Sequence, residues 1–556
     1  MPTTIGGRLA QIIADGGTRA MFGVPGLQTL SMYGAADGAG LQHVLMRDER
    51  AAACAADAYA RLSGNVGVCD ATVGPGATNI VSGIAEAYAA SIPVLAVIAD
   101  VRGDLVHLRR RAVVSQAVDQ AALFQPITKW FGRVDRPETF EPMLDQALRI
   151  ATTGRPGPVI LELPEDVFTA TAAAIGVTRA FGPKTYHYPW QRSAPTPGDV
   201  DEAVSLIGTA QRPLLLCGGG VAFSDASAAI STLAETHQIP VITTVSGKGT
   251  LDESHPLSGG VTGAFGTALG NSAMAAADLV IAVGCKFGQF TTHYWRLPRA
   301  DQAVIHVDVD GEEIGRAIAV RLGIVADARE TASALTQALA DGGYDGHNWL
   351  GDLARDEVSP GEPTDGVSPR ILSQVLSDAL RDEDVLVCDA SLASGWGASG
   401  VLRRRARSFI APRGLAGIGW SGGAAIGARY AVESDRRVVV LAGDGGWGYS
   451  LSEVETAARM GLDLTYIILN NSALGWIRHS EDRLQYQPQS SFAKVDFASV
   501  ARGMSAHGTR VANLEQLSDA LQSALNDPKP HVLDVVTTRD ETPVRSFAPP
   551  EAGAYA

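Results

Sequence analysis

The sequence predicts an α/β protein built as three open parallel-sheet domains. Three observations lead there. Strand-like runs alternate with helical periodicity along the chain and meet in glycine-rich joints, the pattern of parallel sheets covered by helices. The chain has 556 residues, well beyond the ~100–200 that one domain usually holds. Two aperiodic stretches, 176–197 with its prolines and aromatics and 341–369 with Gly, Asp, Pro and Trp, read as linkers. They divide the chain into 1–175, 190–340 and 368–545.

The outer two pieces are alike in layout. Each starts with a helical segment, residues 5–15 and 370–380, that leads to a strand, and each carries a glycine-rich turn near its middle. In the first piece 43–46 is strand-like, and 51–62 (AAACAADAYARL) is a helix of small residues. In the last piece 437–442 (RVVVLA) is a continuous β-branched run, as expected of a strand buried on both faces. A helical pattern follows at 451–460, and then a second buried strand at 464–469. The tail from Arg539 is rich in Pro, Ala and Glu and is expected to be irregular, either disordered or a lid.

Composition excludes several classes. The formal net charge of −15 argues against a nucleic-acid partner, which would need a basic surface. With 46% hydrophobic and 19% charged residues the chain is globular rather than disordered. The longest apolar runs are short and broken, as at Asp278, so no membrane span is expected. The five cysteines, Cys54, Cys69, Cys217, Cys285 and Cys388, are odd in number, unpaired in spacing and mostly set in apolar runs. They read as buried, reduced thiols of a cytoplasmic protein. The first fifteen residues lack the basic-then-apolar pattern of a secretory leader.

Residues 437–471 carry the chemistry. The first strand ends in Gly443-Asp444-Gly445-Gly446 and the second in Asn470-Asn471. A strand–helix–strand unit brings both ends to the carboxyl edge of one sheet. An Asp and an Asn placed there, with glycine amides and a helix start behind them, suit a Mg²⁺ ion carrying a diphosphate. Asp444, the Asn471 side chain and the Ala473 carbonyl are the expected metal ligands.

This segment resembles the thiamine diphosphate (ThDP) motif of the acetolactate synthase and pyruvate decarboxylase superfamily. The resemblance extends to the first piece. Phe22-Gly23-Val24-Pro25-Gly26 is similar to the family's FGxPG turn, and Val73-Gly74-Pro75-Gly76-Ala77-Thr78-Asn79 to its SGPGATN loop. Glu49, after the strand at 43–46, matches the family's invariant glutamate. That carboxyl shares a proton with the aminopyrimidine ring nitrogen, so that the neighbouring amine can accept the proton from the thiazolium C2. Gln116, thirteen residues before Lys129 of PITKW, matches a glutamine of the active site. Residues 415–427 (LAGIGWSGGAAIG) resemble the loop that holds the cofactor bent, with Ile418 as its wedge and Gly417 or Gly419 offering a carbonyl. Ser391 joins the implied cofactor contacts, and Leu27, Trp476 and Ile477 the implied substrate pocket.

The three domains are then implied to be pyrimidine-binding, central Rossmann-like and diphosphate-binding. The implied reaction makes or breaks a C–C bond beside a carbonyl, on a 2-oxo acid or a 2-hydroxyketone. The family assembles its site between subunits, so a homodimer or homotetramer is implied.

Some positions depart from the pattern. Asp48 stands where many members carry His, and Gly446 where many carry Ser or Ala. The segments 213–221, 243–249 and 304–315 resemble the family's flavin-binding domain, which makes FAD a candidate second cofactor. The family's RFDDR stretch reads Lys286-Phe287-Gly288-Gln289-Phe290 here, which weighs against FAD. That stretch and PITKW look closer to benzaldehyde lyase, although Gln28 replaces the histidine which assists proton transfer there. A 2-hydroxyacyl-CoA lyase is a further alternative, for which the tail's Arg539 and Arg545 or the clusters Arg109–Arg111 and Arg403–Arg407 would have to meet phosphates. His293 and His479 are candidate pocket bases. A flavin-linked 2-oxo acid oxidase and a non-catalytic subunit of the same fold complete the alternatives.

Overall fold

The structure, a computed structural model, describes residues 4–172, 187–353 and 366–543. It contains three six-stranded sheets. The first holds β1 (Ala20–Gly23), β2 (Gln42–Leu45), β3 (Gly67–Ala71), β4 (Val94–Asp100), β5 (Trp130–Arg133) and β6 (Val159–Pro164), in the order β2-β1-β3-β4-β6-β5. The second holds β7 (Pro213–Cys217), β8 (Val241–Thr243), β9 (Ser258–Val261), β10 (Leu279–Val283), β11 (Ala303–Asp308) and β12 (Leu322–Val325), in the order β12-β11-β10-β7-β8-β9. The third holds β13 (Val385–Cys388), β14 (Phe409–Ile410), β15 (Val438–Gly443), β16 (Leu464–Asn470), β17 (His507–Val511) and β18 (His531–Val536), in the order β14-β13-β15-β16-β18-β17. All the strand pairings are parallel. A central strand of each order is buried along all or nearly all of its length, which is why runs such as VVVLA show no alternation.

The small-residue run forms helix α1 (Glu49–Ser63), capped at its start by Asp48 and at its end by Gly64 with φ 73°. It packs along α2 (Ser421–Ala431) of the third sheet's layer. Gly423 and Gly427 face Ala51 and Ala55, and a Cβ on Gly427 would lie 1.9 Å from the Ala55 carbonyl oxygen. Small residues let the two backbones touch. The first and third sheets consequently share one apolar core, while the central sheet packs its faces in cores of its own.

The structure differs from expectation in detail. The strand expected at 437–442 starts one residue later, and Asp444–Trp447 is a short helix rather than a turn. Much of the second expected linker is ordered. The helix Ala328–Asp341 runs to its first residue, Trp349 and Leu350 are buried on the central sheet, and the Trp349 indole donates to the Pro213 carbonyl at 3.0 Å. A lone Trp in a Gly/Asp-rich stretch has no periodicity from which to read burial. Residues 176–186 and 354–365 of the expected linkers, Arg545 and most of the tail lie outside the described residues. All five cysteines are buried and free. Among the described residues no helix is long and apolar enough to cross a membrane.

Gly427→Ala is expected to lower the melting temperature, by about 1–3 kcal/mol of stability, because the clash at Ala55 exceeds the gain in helix propensity. Gly208→Ala, in helix Pro197–Thr209 with open space at its Cβ, should melt at or above the parent.

Candidate active site

The predicted residues fall on the carboxyl edges of the first and third sheets. In the first, Phe22 pairs with Cys69 and Gly23 with Asp70, so the turns after β1 and β3 lie side by side. A Cβ on Gly26 would sit 2.1 Å from Thr72 Oγ1, and that hydroxyl donates to Gln28 Oε1 at 2.8 Å. Gly74 has φ 68°, its amide donates to Gln120 Oε1 at 3.2 Å, and a Cβ there would meet the Gln116 carbonyl oxygen at 1.9 Å. Gln116 itself is exposed, with φ 66°. Glu49 opens α1, half-buried, where the helix start favours a negative charge, and accepts from Asn79 Nδ2 at 3.0 Å. Val73 is buried beneath the loop, and Pro25 and Leu27 are exposed, Leu27 at 82%.

In the third sheet Gly443 pairs with Leu469, which brings Asp444 beside Asn470 and Asn471. Asp444 is buried, accepts from Gly445 N at 2.8 Å and is further held by the amides of Ser472 and Ala473. Burial nevertheless dominates and pushes its carboxyl up to about 6. Asn471 Oδ1 accepts from Ala473 N at 3.1 Å, which fixes the orientation of the side chain. A pocket of about 280 Å³ opens here. Gly443, Asp444, Gly445, Gly446, Asn471 and Ala473 line it, and so do Ser391, Ile418, Trp476 and Ile477. Gly417 and Gly419 stand behind Ile418, Gly419 with φ 84° and its amide on Asp389 Oδ1 at 2.9 Å.

The donor set fits a hard divalent cation. It combines a buried carboxylate, a side-chain amide oxygen and a backbone carbonyl, all oxygen ligands. Gly445 and Gly446 keep the floor low, since a Cβ on Gly445 would lie 2.6 Å from Leu474 and one on Gly446 3.2 Å from Asp389. Ser391 and Ser472 hold positive φ, 67° and 55°, backbone strain of the kind that collects at binding sites.

Several residues that shape these edges have no local sequence signal. Gln120 carries the loop at Gly74 and is itself held by Glu162 and the Ala99 carbonyl. Glu86 accepts from the amides of Gly414, Leu415 and Ala416 at 2.9, 2.7 and 2.8 Å and pairs with Arg61 at 3.2 Å, fixing the loop that carries Ile418. Asp389, which receives Gly419 N and Ser421 Oγ, was legible: it follows a buried strand just as Asp444 does. The candidate bases are spoken for or remote. His479 Nε2 contacts the Glu541 carbonyl at 3.0 Å, and His293 lines neither large cavity. Arg109 pairs with Asp100, while Arg403 and Arg404 bond to the 381–384 turn, so these three arginines serve the fold.

Among the described residues, no side chain from 4–172 lines the Asp444 pocket. One chain presents Glu49 on one edge and the Asp444 pocket on another.

A glycine-rich strand end, a buried strand-end acid and an amide just after the next strand are groups that suit a diphosphate cofactor. Family comparison agrees along the chain. Residues 3–123 match the N-terminal TPP binding domain of thiamine pyrophosphate enzymes, 200–335 their central domain and 389–535 their C-terminal TPP binding domain. A probable acetolactate synthase large subunit of Methanocaldococcus jannaschii is 34% identical over 94% of this chain and 89% of its own length. An acetolactate synthase of Arthrospira platensis is 33% identical over 96% and 94%, and the large subunit of Corynebacterium glutamicum 33% over 94% and 84%. The chain belongs to the thiamine diphosphate-dependent enzymes, as an acetolactate synthase-like member.

Glu453 gives a pH test of how the first and third sheets dock. It is fully buried, accepts from Arg47 N at 3.1 Å and from Thr456 Oγ1 at 2.7 Å, and burial pushes its carboxyl up to about 7. The folded chain keeps that proton to higher pH than the unfolded chain, so stability falls as pH rises from the ordinary glutamate value of 4.5 to about 7. Glu453→Gln should remove that fall, gaining roughly 1–3 kcal/mol over the parent at pH 8 and nothing near pH 4 in thermal melts.

Proposed function

We propose that this enzyme decarboxylates a 2-oxo acid and joins the remaining acyl unit, as an acyl-anion equivalent that keeps the electron pair of the broken bond, to a second carbonyl compound, as the names of its relatives suggest for them. Glu49 at a helix start on one edge, set against the Asp444–Asn471 pocket on the other, is the observation that carries the reading.

Bound ThDP supplies a thiazolium that stabilises negative charge on the acyl carbon. Asp444, the Asn471 side chain and the Ala473 carbonyl hold Mg²⁺ and through it the diphosphate. Gly443, Gly445 and Gly446 let the backbone approach the phosphates, and Ser391 stands at the rim. Ile418, on the loop pinned by Glu86 and Asp389, wedges the cofactor, with Gly417 or Gly419 offering a carbonyl to its amine. Glu49, oriented by Asn79, holds and returns the proton at the pyrimidine nitrogen. Pro25, Gly26, Val73 and Gly74 close over that ring. Gln28 and Gln116 donate hydrogen bonds to the reacting carbonyls, and Leu27, Trp476 and Ile477 wall the substrate pocket.

Because one chain holds the two half-sites apart, the working enzyme is a homodimer or a pair of such dimers, with Glu49 of one subunit facing Asp444 of the other. Exposed Leu27, Leu30 and Val113 near the first edge, and Leu415, Tyr449 and Ile477 near the second, supply apolar surface for that contact. A cytoplasmic setting accords with the free thiols. FAD stays outside the proposal, since the departures at 286–290 fall in the central cavity where a flavin would have to sit.

Glu49→Gln should leave folding and ThDP binding intact and lower turnover of pyruvate at least about a hundredfold, measured by NMR of product formation. Turnover within a few-fold of the parent would contradict the role of Glu49.

A further inference from the structure

At the amino edge of the third sheet, opposite the edge that carries Asp444, three side chains with metal-binding atoms converge. His507 opens β17 and His531 opens β18, and the two residues are paired in register. Paired residues of neighbouring parallel strands project from the same face of a sheet. Asp527 stands in the turn between the helix Leu514–Leu525 and β18. His507 Nδ1 lies 2.5 Å from Asp527 Oδ2, and His531 Nδ1 lies 2.9 Å from the same oxygen. One ligand atom from each residue falls within 4.8 Å of the other two. Among the described residues no other group of three or more His, Cys, Asp or Glu side chains converges in this way.

The surroundings hold these groups in place. Asp527 N donates to the Ala524 carbonyl at 3.2 Å, and Asp527 Oδ1 accepts from Lys529 N at 3.0 Å. Pro528 and Pro530 flank that lysine and restrict the turn. His507 N donates to the Pro530 carbonyl at 2.9 Å, which ties the turn to the start of β17. His531 is buried, and its Nε2 lies 2.9 Å from Thr509 Oγ1. Donation from Nε2–H to that hydroxyl leaves the Nδ1 lone pair facing Asp527, the tautomer that a metal needs. His507 is exposed, so the cluster opens to solvent on its side.

The ligand atoms decide the chemistry. Two imidazole nitrogens and a carboxylate oxygen aimed at one place crowd their lone pairs together, and either protons or a cation must lie between them. A cation answers all three at once. Bonds of about 2.0–2.2 Å in a tetrahedral shell set ligand atoms roughly 3.3–3.5 Å apart, so His507, the exposed member, moves slightly outward as the ion enters. Imidazole and carboxylate ligands suit Zn²⁺ and its first-row neighbours, whereas Mg²⁺ prefers oxygens alone. Three protein ligands leave the solvent-side position to water. The helix Leu514–Leu525 ends beside the cluster, and the negative end of its dipole favours a cation there.

We propose that His507, Asp527 and His531 bind Zn²⁺ as a structural clip, separate from the Asp444 pocket. β17 is the outermost strand of its sheet. The ion closes the stretch 507–531 into a loop, fastens β17 to β18 and the turn, and so stabilises the folded chain. The inference does not depend on the reaction proposed above.

The test uses the full chain, stripped with EDTA and then reloaded with ThDP and excess Mg²⁺ so that the cofactor site is taken. Zn²⁺ is titrated into it by calorimetry. The parent should take up one Zn²⁺ per chain with a Kd of about 10 μM or tighter. His507→Ala, at an exposed position, and Asp527→Asn, which keeps an acceptor for Lys529 N, should each bind at least about tenfold more weakly. Melting curves with and without Zn²⁺ give a second readout. Zn²⁺ should raise the melting temperature of the parent and leave that of each variant unchanged at the same concentration. Each protein is compared with itself, so a variant that is less stable from the outset still reports. No uptake by the parent, equal uptake by the parent and both variants, or uptake with no rise in the parent's melting temperature overturns the proposal. The first of these results would make the cluster a hydrogen-bonded His–Asp–His group with protons in the ion's place.

Discussion

Much of this molecule depends on a single buried carboxylate, that of Glu86. It gathers three successive amides, of Gly414, Leu415 and Ala416, and pairs with Arg61, which also holds Asp57 and the Ala411 carbonyl. Those amides belong to the third sheet's layer and Glu86 to the first. The contact fixes the loop that leads to Ile418 and Gly419, and Trp420 closes it by donating to Asp57 at 3.0 Å. Beside it, the glycine seam between α1 and α2 draws the two layers into one core.

The same docking sets the architecture of catalysis. Once α1 lies against α2, Glu49 at its start sits among Asn79 and the Gly76 loop, and residues 4–172 contribute nothing to the Asp444 pocket of the same chain. The arrangement of one chain leaves Glu49 off the pocket that Asp444 lines, the two groups the proposed chemistry needs together. On the proposed reading assembly completes the site, and a second copy is part of the catalyst.

Much of this was legible in the sequence because it is local. The buried β-branched runs around 438–443 and 464–470, with Gly443-Asp444 and Asn470-Asn471 at their ends, place the Asp444–Asn471 edge within a residue. The alanine-rich run marks α1, and Glu49 follows from its place before that run. What was not legible acts at a distance. Glu86 meets residues more than three hundred positions away, and Gln120 supports Gly74 from another segment. Neither leaves a periodic or compositional trace. Trp349 was misjudged for a related reason: tertiary packing buries it although its neighbours read as linker. The cluster of His507, Asp527 and His531 comes from two strands and a turn and becomes visible only when the strands are paired.

The central claim is that Glu49 and Asp444 of different chains make one active site. Mixing Glu49→Gln chains with Asp444→Asn chains under conditions that let dimers exchange tests it directly. If the site is shared, half the sites in each mixed dimer regain both groups, and random pairing restores about a quarter of parental turnover from two inactive proteins. If each site is built within one chain, every site keeps one lesion, the mixture stays as inactive as its components, and the account is wrong.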